Sequence, residues 1–127
     1  MTISKSLFEP RDQKRLKVKA GAFVILRPSN VHVGRLLDVN MHGLTFEYVC
    51  GEEPSSQPNE LEIFEIDSAF RVNKIPCRIV DDLTVYKNPL TSTNRRRCNV
   101  KFDELTPDQI CLLGYFIQNH TAGEAEI

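Results

Sequence analysis

Alternating apolar and polar positions recur along most of the chain, a pattern typical of short β-strands. The clearest case is LTFEYVC (44–50), in which every second side chain from Leu44 to Cys50 is apolar or aromatic. The same criteria predict strands at 18–27, 31–38, 61–67 and 95–105, with one or two more inside 70–82. Turn-forming residues separate them at 28–30, 39–43, 51–60 and 87–94.

The pattern changes to a helical period after residue 105. Thr106-Pro107-Asp108-Gln109 has the composition of a capping box, with threonine at the N-cap and glutamine three positions later. Apolar residues then follow at helical spacing: Ile110, Leu113, Phe116 and Ile117. The chain is therefore expected to be mainly all-β, a small antiparallel barrel of roughly six strands with a C-terminal amphipathic helix over one mouth.

The expected organisation is a single domain in four parts. They are an N-terminal arm (1–17), the barrel (18–105), the helix (106–120) and a frayed tail (121–127). A chain of 127 residues with 41% hydrophobic and 26% charged residues has an ordinary globular composition. Because neither an apolar leader nor a membrane-spanning apolar run occurs in the sequence, we expect a cytoplasmic protein without membrane insertion.

Cysteine and histidine spacing argues against a metal site. The four cysteines lie far apart, at Cys50, Cys77, Cys98 and Cys111, and form no CxxC pair. The three histidines have no metal-binding spacing either. We therefore expect no metal and no cofactor, with the thiols acting as small buried or half-buried hydrophobic groups.

Charge is strongly segregated although the net charge is only −1. Residues 11–19 carry five basic side chains and one acid, and residues 87–101 carry five basic side chains and no acid. Residues 36–70 contain eight acids and neither lysine nor arginine. Such segregation can create a positive face that attracts an anion, although a solvated basic surface would have the same composition.

Two short clusters fall where predicted strands meet loops. The first is Arg11-x-x-x-Arg15, and the second is Asp38-x-Asn40-x-x-Gly43. The second is good turn chemistry, because Asp and Asn side chains accept from nearby backbone amides and Gly43 tolerates a positive φ. An arm with two arginines, placed ahead of the strand that pairs with this turn, could hold an anionic ligand against the barrel wall.

In order and spacing, these clusters resemble the RxxxR and [D/N]-x-S-x-x-G motifs of PilZ domains, bacterial receptors for cyclic di-GMP. The resemblance runs from Arg11 to about Gln118 and includes GRLLDVNMHGLTFEY and RRRCNVKFDELTPDQICLLGYFI. It implies a six-stranded antiparallel split β-barrel with a C-terminal helix. The chain departs from the motif at Asn40, where the family usually has serine.

The resemblance also implies roles for five residues. Arg11 and Arg15 would wrap the nucleotide from the N-terminal arm, since guanidinium groups bind guanine O6 and N7 and phosphates. Asp38 would accept from guanine N–H groups, Asn40 would take over the polar role of the serine, and Gly43 would allow close approach of the ligand. Binding would change the conformation of the arm and signal to a protein partner in motility, pilus or exopolysaccharide machinery.

A second group of basic residues has no assigned role. On a strand, Arg95 and Arg97 would share one face and Arg96 would take the other. They could extend the nucleotide surface, or they could form a charged strand edge that resists aggregation.

The sequence is also compatible with other functions. The main alternative is a PilZ-fold protein–protein interaction module that does not bind the nucleotide. A binder of single-stranded nucleic acid is less favoured, because tryptophan is absent and most aromatic residues occupy core-like positions such as Phe46 and Phe102. An enzyme is the least favoured class, since no nucleophile–base pair, phosphate loop or paired carboxylates can be singled out, and we expect no catalytic residues.

Overall fold

A computed structural model describes residues 14–27, 32–50, 60–91 and 93–124. Within these ranges no helix is long and apolar enough to cross a membrane. The elements in chain order are β1 (Leu16–Val18), β2 (Ala22–Arg27), β3 (His32–Val39), β4 (Gly43–Cys50), β5 (Glu60–Glu65), β6 (Phe70–Asn88), β7 (Thr93–Phe102), α1 (Pro107–His120) and β8 (Thr121–Glu124).

Six antiparallel strands close into a barrel, in the order β2-β5-β6-β7-β4-β3, and pairing of β2 with β3 completes the ring. The remaining two strands, β1 and β8, extend the sheet from β3. The predicted six-stranded antiparallel barrel with a C-terminal helix is therefore confirmed.

Alternate residues of the barrel strands fill the core, as the period-two pattern predicted. Phe46 and Phe102 are among the buried side chains, and Leu113 and Phe116 of α1 join them. The helix begins with the predicted capping box: Gln109 N donates to Thr106 Oγ1 and Thr106 N donates to Gln109 Oε1. Ile110, the first of the four apolar residues at helical spacing, is exposed.

The predicted strand 18–27 is wrong as a single element. Its larger part forms β2, whereas Val18 ends the short strand β1, which begins at Leu16 within the predicted arm. Gly21 lies at the break with φ of +102°, a conformation that glycine adopts without strain. Both pieces pair with β3, β2 with its first half and β1 with Val39 and Asp38. The last residues of the predicted arm are therefore held against the barrel by main-chain pairing.

The predicted frayed tail at 121–127 is also wrong in its described part. Thr121–Glu124 forms β8, which pairs with β1. Lys19 N donates to His120 O at 2.9 Å and joins the end of β1 to the end of α1. No hydrophobic pattern marks β8 in the sequence, and its strand partner is the distant β1.

One strand, β6, replaces the one or two predicted within 70–82 and continues to Asn88. A β-bulge at Asn73 and Lys74, where Lys74 has φ of 55°, interrupts the period-two alternation of β6 in the sequence. Both ends of the predicted loop 87–94 belong to strands, since β6 ends at Asn88 and β7 begins at Thr93. The predicted strand 95–105 ends earlier than expected, at Phe102.

Candidate functional site

The guanidinium group of Arg15 lies on the outer face of the barrel and donates to three side chains. Nη1 donates to Asp38 Oδ1 at 3.0 Å and to Thr45 Oγ1 at 3.1 Å, and Nη2 donates to Asn99 Oδ1 at 3.1 Å. The arginine predicted from the first motif therefore meets the aspartate predicted from the second.

Strand register explains why these side chains converge. Asp38 is paired with Thr45, and Thr45 is paired with Asn99, so one cross-strand row runs over β3, β4 and β7. Lys17 of β1 is the partner of Asp38 on the other side. Arg15, just before β1, is thus close enough to reach across the row. Thr45 and Asn99 could not be identified from the sequence, because only long-range pairing places them here.

The turn after β3 is built around the side chain of Asn40. Its Oδ1 accepts from His42 N at 2.7 Å and from Gly43 N at 3.0 Å, while Asn40 N donates to Gly43 O. The side chain is buried. The oxygen of Asn40 therefore stabilises the turn, and contact between Asn40 and a ligand stays a prediction.

Gly43 is required by close packing and not by the positive φ expected from the motif. The glycines with positive φ in the described residues are Gly21 and Gly123. A Cβ atom on Gly43 would lie 2.2 Å from Val100 O and 3.1 Å from Arg15 Nη2. The absence of a side chain lets β4 approach β7 and leaves room for the arginine.

A cleft of about 450 Å³ lies next to Arg15. Its charged side chains are four cations and one acid, and Thr45 and backbone segments of β1 and β3 complete the wall. The charged residues are Lys17, Lys19, Arg35, Arg97 and Asp38. This excess of positive charge on a partly open surface favours an anionic ligand.

Three arginines surround Glu47 beside this cleft. Arg97 is closest, with Nη2 2.6 Å from Glu47 Oε2, whereas Arg35 and Arg95 stand 3.6 Å and 3.8 Å from Oε1. The Glu47 side chain is only 9% exposed, while the side chains of Arg35 and Arg97 are more than half exposed. One carboxylate cannot neutralise three guanidinium groups, so this surface keeps a net positive charge.

The predicted alternation of Arg95, Arg96 and Arg97 is confirmed, since Arg96 is buried and its two neighbours are exposed. Arg96 forms a buried ion pair with Asp82 at 2.9 Å, and Tyr48 Oη donates to the same carboxylate at 2.6 Å. Burial, and then the bond to Asp82, raises the pKa of Tyr48 well above its usual range. Arg96 therefore stabilises the hairpin and does not belong to the basic surface.

Of the five predicted site residues, four are described and lie around one corner of the barrel. Arg15 contacts Asp38 directly, and Asn40 and Gly43 form the adjoining turn. Arg11 lies outside the described residues. Within those residues, no group of three histidine, cysteine, aspartate or glutamate side chains could hold a metal ion.

Comparison with known proteins supports the fold. No family model matches the chain, and no curated protein matches it in sequence. Among solved structures, the chain is similar to the PilZ domain with c-di-GMP of YcgR from Escherichia coli, with a TM-score of 0.63 and 13% identity. The match covers 84% of this chain and 87% of that chain. At this level of identity the similarity establishes a PilZ-like fold.

Proposed function

We propose that the chain is a receptor domain for cyclic di-GMP, bound on the outer face of β3, β4 and β7 around Arg15. The observation that carries the proposal is the convergence of Arg15 and Asp38 at 3.0 Å beside a cleft lined by four cations. The two motifs are 23 residues apart in sequence at these positions, and the fold joins them. The structural neighbour, a PilZ domain with c-di-GMP, adds support.

The chemistry of the surface suits both parts of this ligand. Lys17, Lys19, Arg35 and Arg97 offer cations to its two phosphodiester groups. Arg15 is available for the acceptor edge of guanine, and Asp38 for guanine N–H donors. Because Arg15 already bonds three acceptors, it is oriented before the ligand arrives, which reduces the ordering cost of binding.

The proposed signal is a change in the chain ahead of β1. Arg11 would join the ligand from the N-terminal arm and order it around the nucleotide. The arm would then present a new surface to a protein partner. The domain acts as a receptor, and the partner performs the output.

Isothermal titration with cyclic di-GMP tests this proposal. The wild-type chain should bind saturably, and Arg15→Ala should weaken binding by roughly tenfold to a hundredfold, the scale of a lost charged hydrogen bond. Arg78→Ala is a matched control, because Arg78 is an exposed arginine on β6 whose ion pair is with Asp103. It should bind as the wild type does.

Thermal denaturation of each variant must accompany the titration, since Arg15 also contributes hydrogen bonds to the fold. A folded Arg15→Ala variant with wild-type affinity would contradict the proposal. Absence of binding heat in the wild type would also contradict it and would favour the interaction-module alternative.

A further inference from the structure

The hairpin of β6 and β7 and the neighbouring strand β4 carry exposed apolar side chains on one outer face. Val49, Leu83 and Tyr86 are 64%, 61% and 54% exposed. Exposed apolar side chains that lie together, unlike single ones, are typical of interaction sites. Val49 and Tyr86 are both paired with Arg95, and Leu83 is paired with Arg97 in the next row. The three apolar side chains therefore belong to adjacent rows of one face. We call Val49, Leu83, Tyr86 and Arg95 the hairpin patch.

The side of the hairpin opposite the patch is held by a buried polar network. Arg96 donates to Asp82 Oδ1, Asp82 O and Thr84 Oγ1, each at 2.9 Å, and Tyr48 also donates to Asp82. Fully satisfied networks of this kind fix the register and orientation of the strands that carry them. The hairpin patch is thus presented on a rigid support, which lowers the entropy lost when a partner binds.

The charge of the patch and its surroundings indicates the chemistry of the occupant. Arg95 stacks over Tyr86, with its Cζ 5.7 Å from the ring centroid. Arg97 and Arg35 lie beside it, and Glu47, the acid among them, is nearly buried. Tyrosine and arginine are residue types enriched in interface hot spots. An acidic segment with apolar side chains would satisfy both features.

Recognition by side chains is favoured over addition of a strand to the edge of β6. Beyond Pro76, the described residues provide no strand on that edge. However, register shifts between Ile79 and Asp81 and between Thr84 and Tyr86 interrupt the ladder, so the edge is irregular. Bulges of this kind protect edges from pairing with another chain.

We propose that the hairpin patch is the docking surface for an acidic, apolar segment of a protein partner. The four residues of the patch lie outside the cleft around Arg15 and Asp38, whereas Arg35 and Arg97 border both surfaces. Substitution of Leu83 and Tyr86 therefore tests partner docking without altering a residue of the proposed nucleotide site.

A model peptide that alternates glutamate with leucine and phenylalanine is a direct probe. Labelled with fluorescein, it should bind the wild-type chain by fluorescence anisotropy, and the same peptide with lysine for glutamate should not. Backbone amide shifts in NMR spectra should change at Val49, Leu83 and Tyr86. The double variant Leu83→Ser/Tyr86→Ser should bind at least about tenfold more weakly, the loss expected for two interface anchors.

Ile66→Ser is the matched control, because Ile66 is a similarly exposed apolar residue after β5. It should bind the acidic peptide as the wild type does. All variants should remain folded because the substituted side chains are exposed, with the double variant melting slightly lower because it loses the contact between Arg95 and Tyr86. The double variant should also retain whatever affinity for cyclic di-GMP the wild type has.

Three results would overturn the docking proposal. They are no binding of the acidic peptide, equal binding by the double variant and the control, and a dimer in light scattering that the double variant abolishes. The last result would assign the patch to a second copy of the chain. Since cyclic di-GMP titration is a separate measurement, failure of docking and failure of the receptor function are distinguishable.

Discussion

The geometry of the candidate site depends on Gly43 having no side chain. It lies where β4 leaves the turn, with Val100 O on one side and Arg15 Nη2 on the other. The same residue therefore sets the distance between β4 and β7 and the space available to the arginine. Its importance was expected from the motif, but the physical reason is packing, which only the fold reveals.

Gly43→Ala should destabilise the protein by about 1–3 kcal/mol, the usual cost of forcing a group into a packed site. The added Cβ would approach Val100 O to 2.2 Å, so β4 or β7 must shift. Urea denaturation measures the change in the free energy of unfolding. Cyclic di-GMP affinity should fall as well, since Arg15 Nη2 is a neighbour of the new atom.

Gly114→Ala is the matched control on α1. Apart from its chain neighbours and the backbone of its own helix, a Cβ atom there meets nothing within 4 Å. Alanine is favoured over glycine inside a helix by about 1 kcal/mol. This variant should be as stable as the wild type or more stable. Equal loss of stability in both variants would show that packing at Gly43 is not the cause.

At the scale of elements, the helix was predicted well because its signals are local. Thr106, Pro107 and Gln109 lie within four positions of one another and cap the helix as the sequence indicated. The strands β1 and β8 were missed because each is stabilised by pairing with a distant segment. Likewise Arg15 and Asp38 were predicted from motifs, and Arg97 was considered as a possible extension of the surface. Thr45 and Asn99 join the site only through register.

Gln109 links the helix to the bulge of β6. Its Nε2 donates to Asn73 O at 2.9 Å and to Lys74 O at 2.8 Å, in addition to its part in the capping box. The buried side-chain amide of Gln109 is thus a hydrogen-bond donor to two carbonyl groups of a bulge with a positive φ at Lys74. The helix start and the irregular part of β6 are expected to lose stability together when this side chain is removed.

Gln109→Ala should lower the free energy of unfolding by about 2–4 kcal/mol, since it removes the side-chain donor to two carbonyl groups and opens the capping box. Thr106→Ala removes only the cap and should cost about 1 kcal/mol. Urea denaturation compares the two. Equal losses would show that the bonds to Asn73 and Lys74 contribute little.

At the scale of the whole molecule, the core contains two thiols that respond to alkali. Burial, followed by nearby acids, raises the pKa of Cys77 and of Cys98 from 9.0 to about 12. Between these values the unfolded chain loses protons that the folded chain retains. The unfolded state then binds fewer protons, so stability must fall as the pH rises.

Below about pH 9 the contribution of these thiols to the free energy of unfolding should not change with pH. Between about pH 9 and pH 12 it should decline. The slope is at most about 1.4 kcal/mol per pH unit for each thiol. Urea denaturation near pH 8 and near pH 10 measures the decline.

The double variant Cys77→Ala/Cys98→Ala is the control. It should be less stable near pH 8, because it leaves cavities, but should lose less stability on going to the higher pH. An equal decline in the variant would assign the alkaline sensitivity to other groups, among them the buried phenol of Tyr48, whose pKa is also raised by burial.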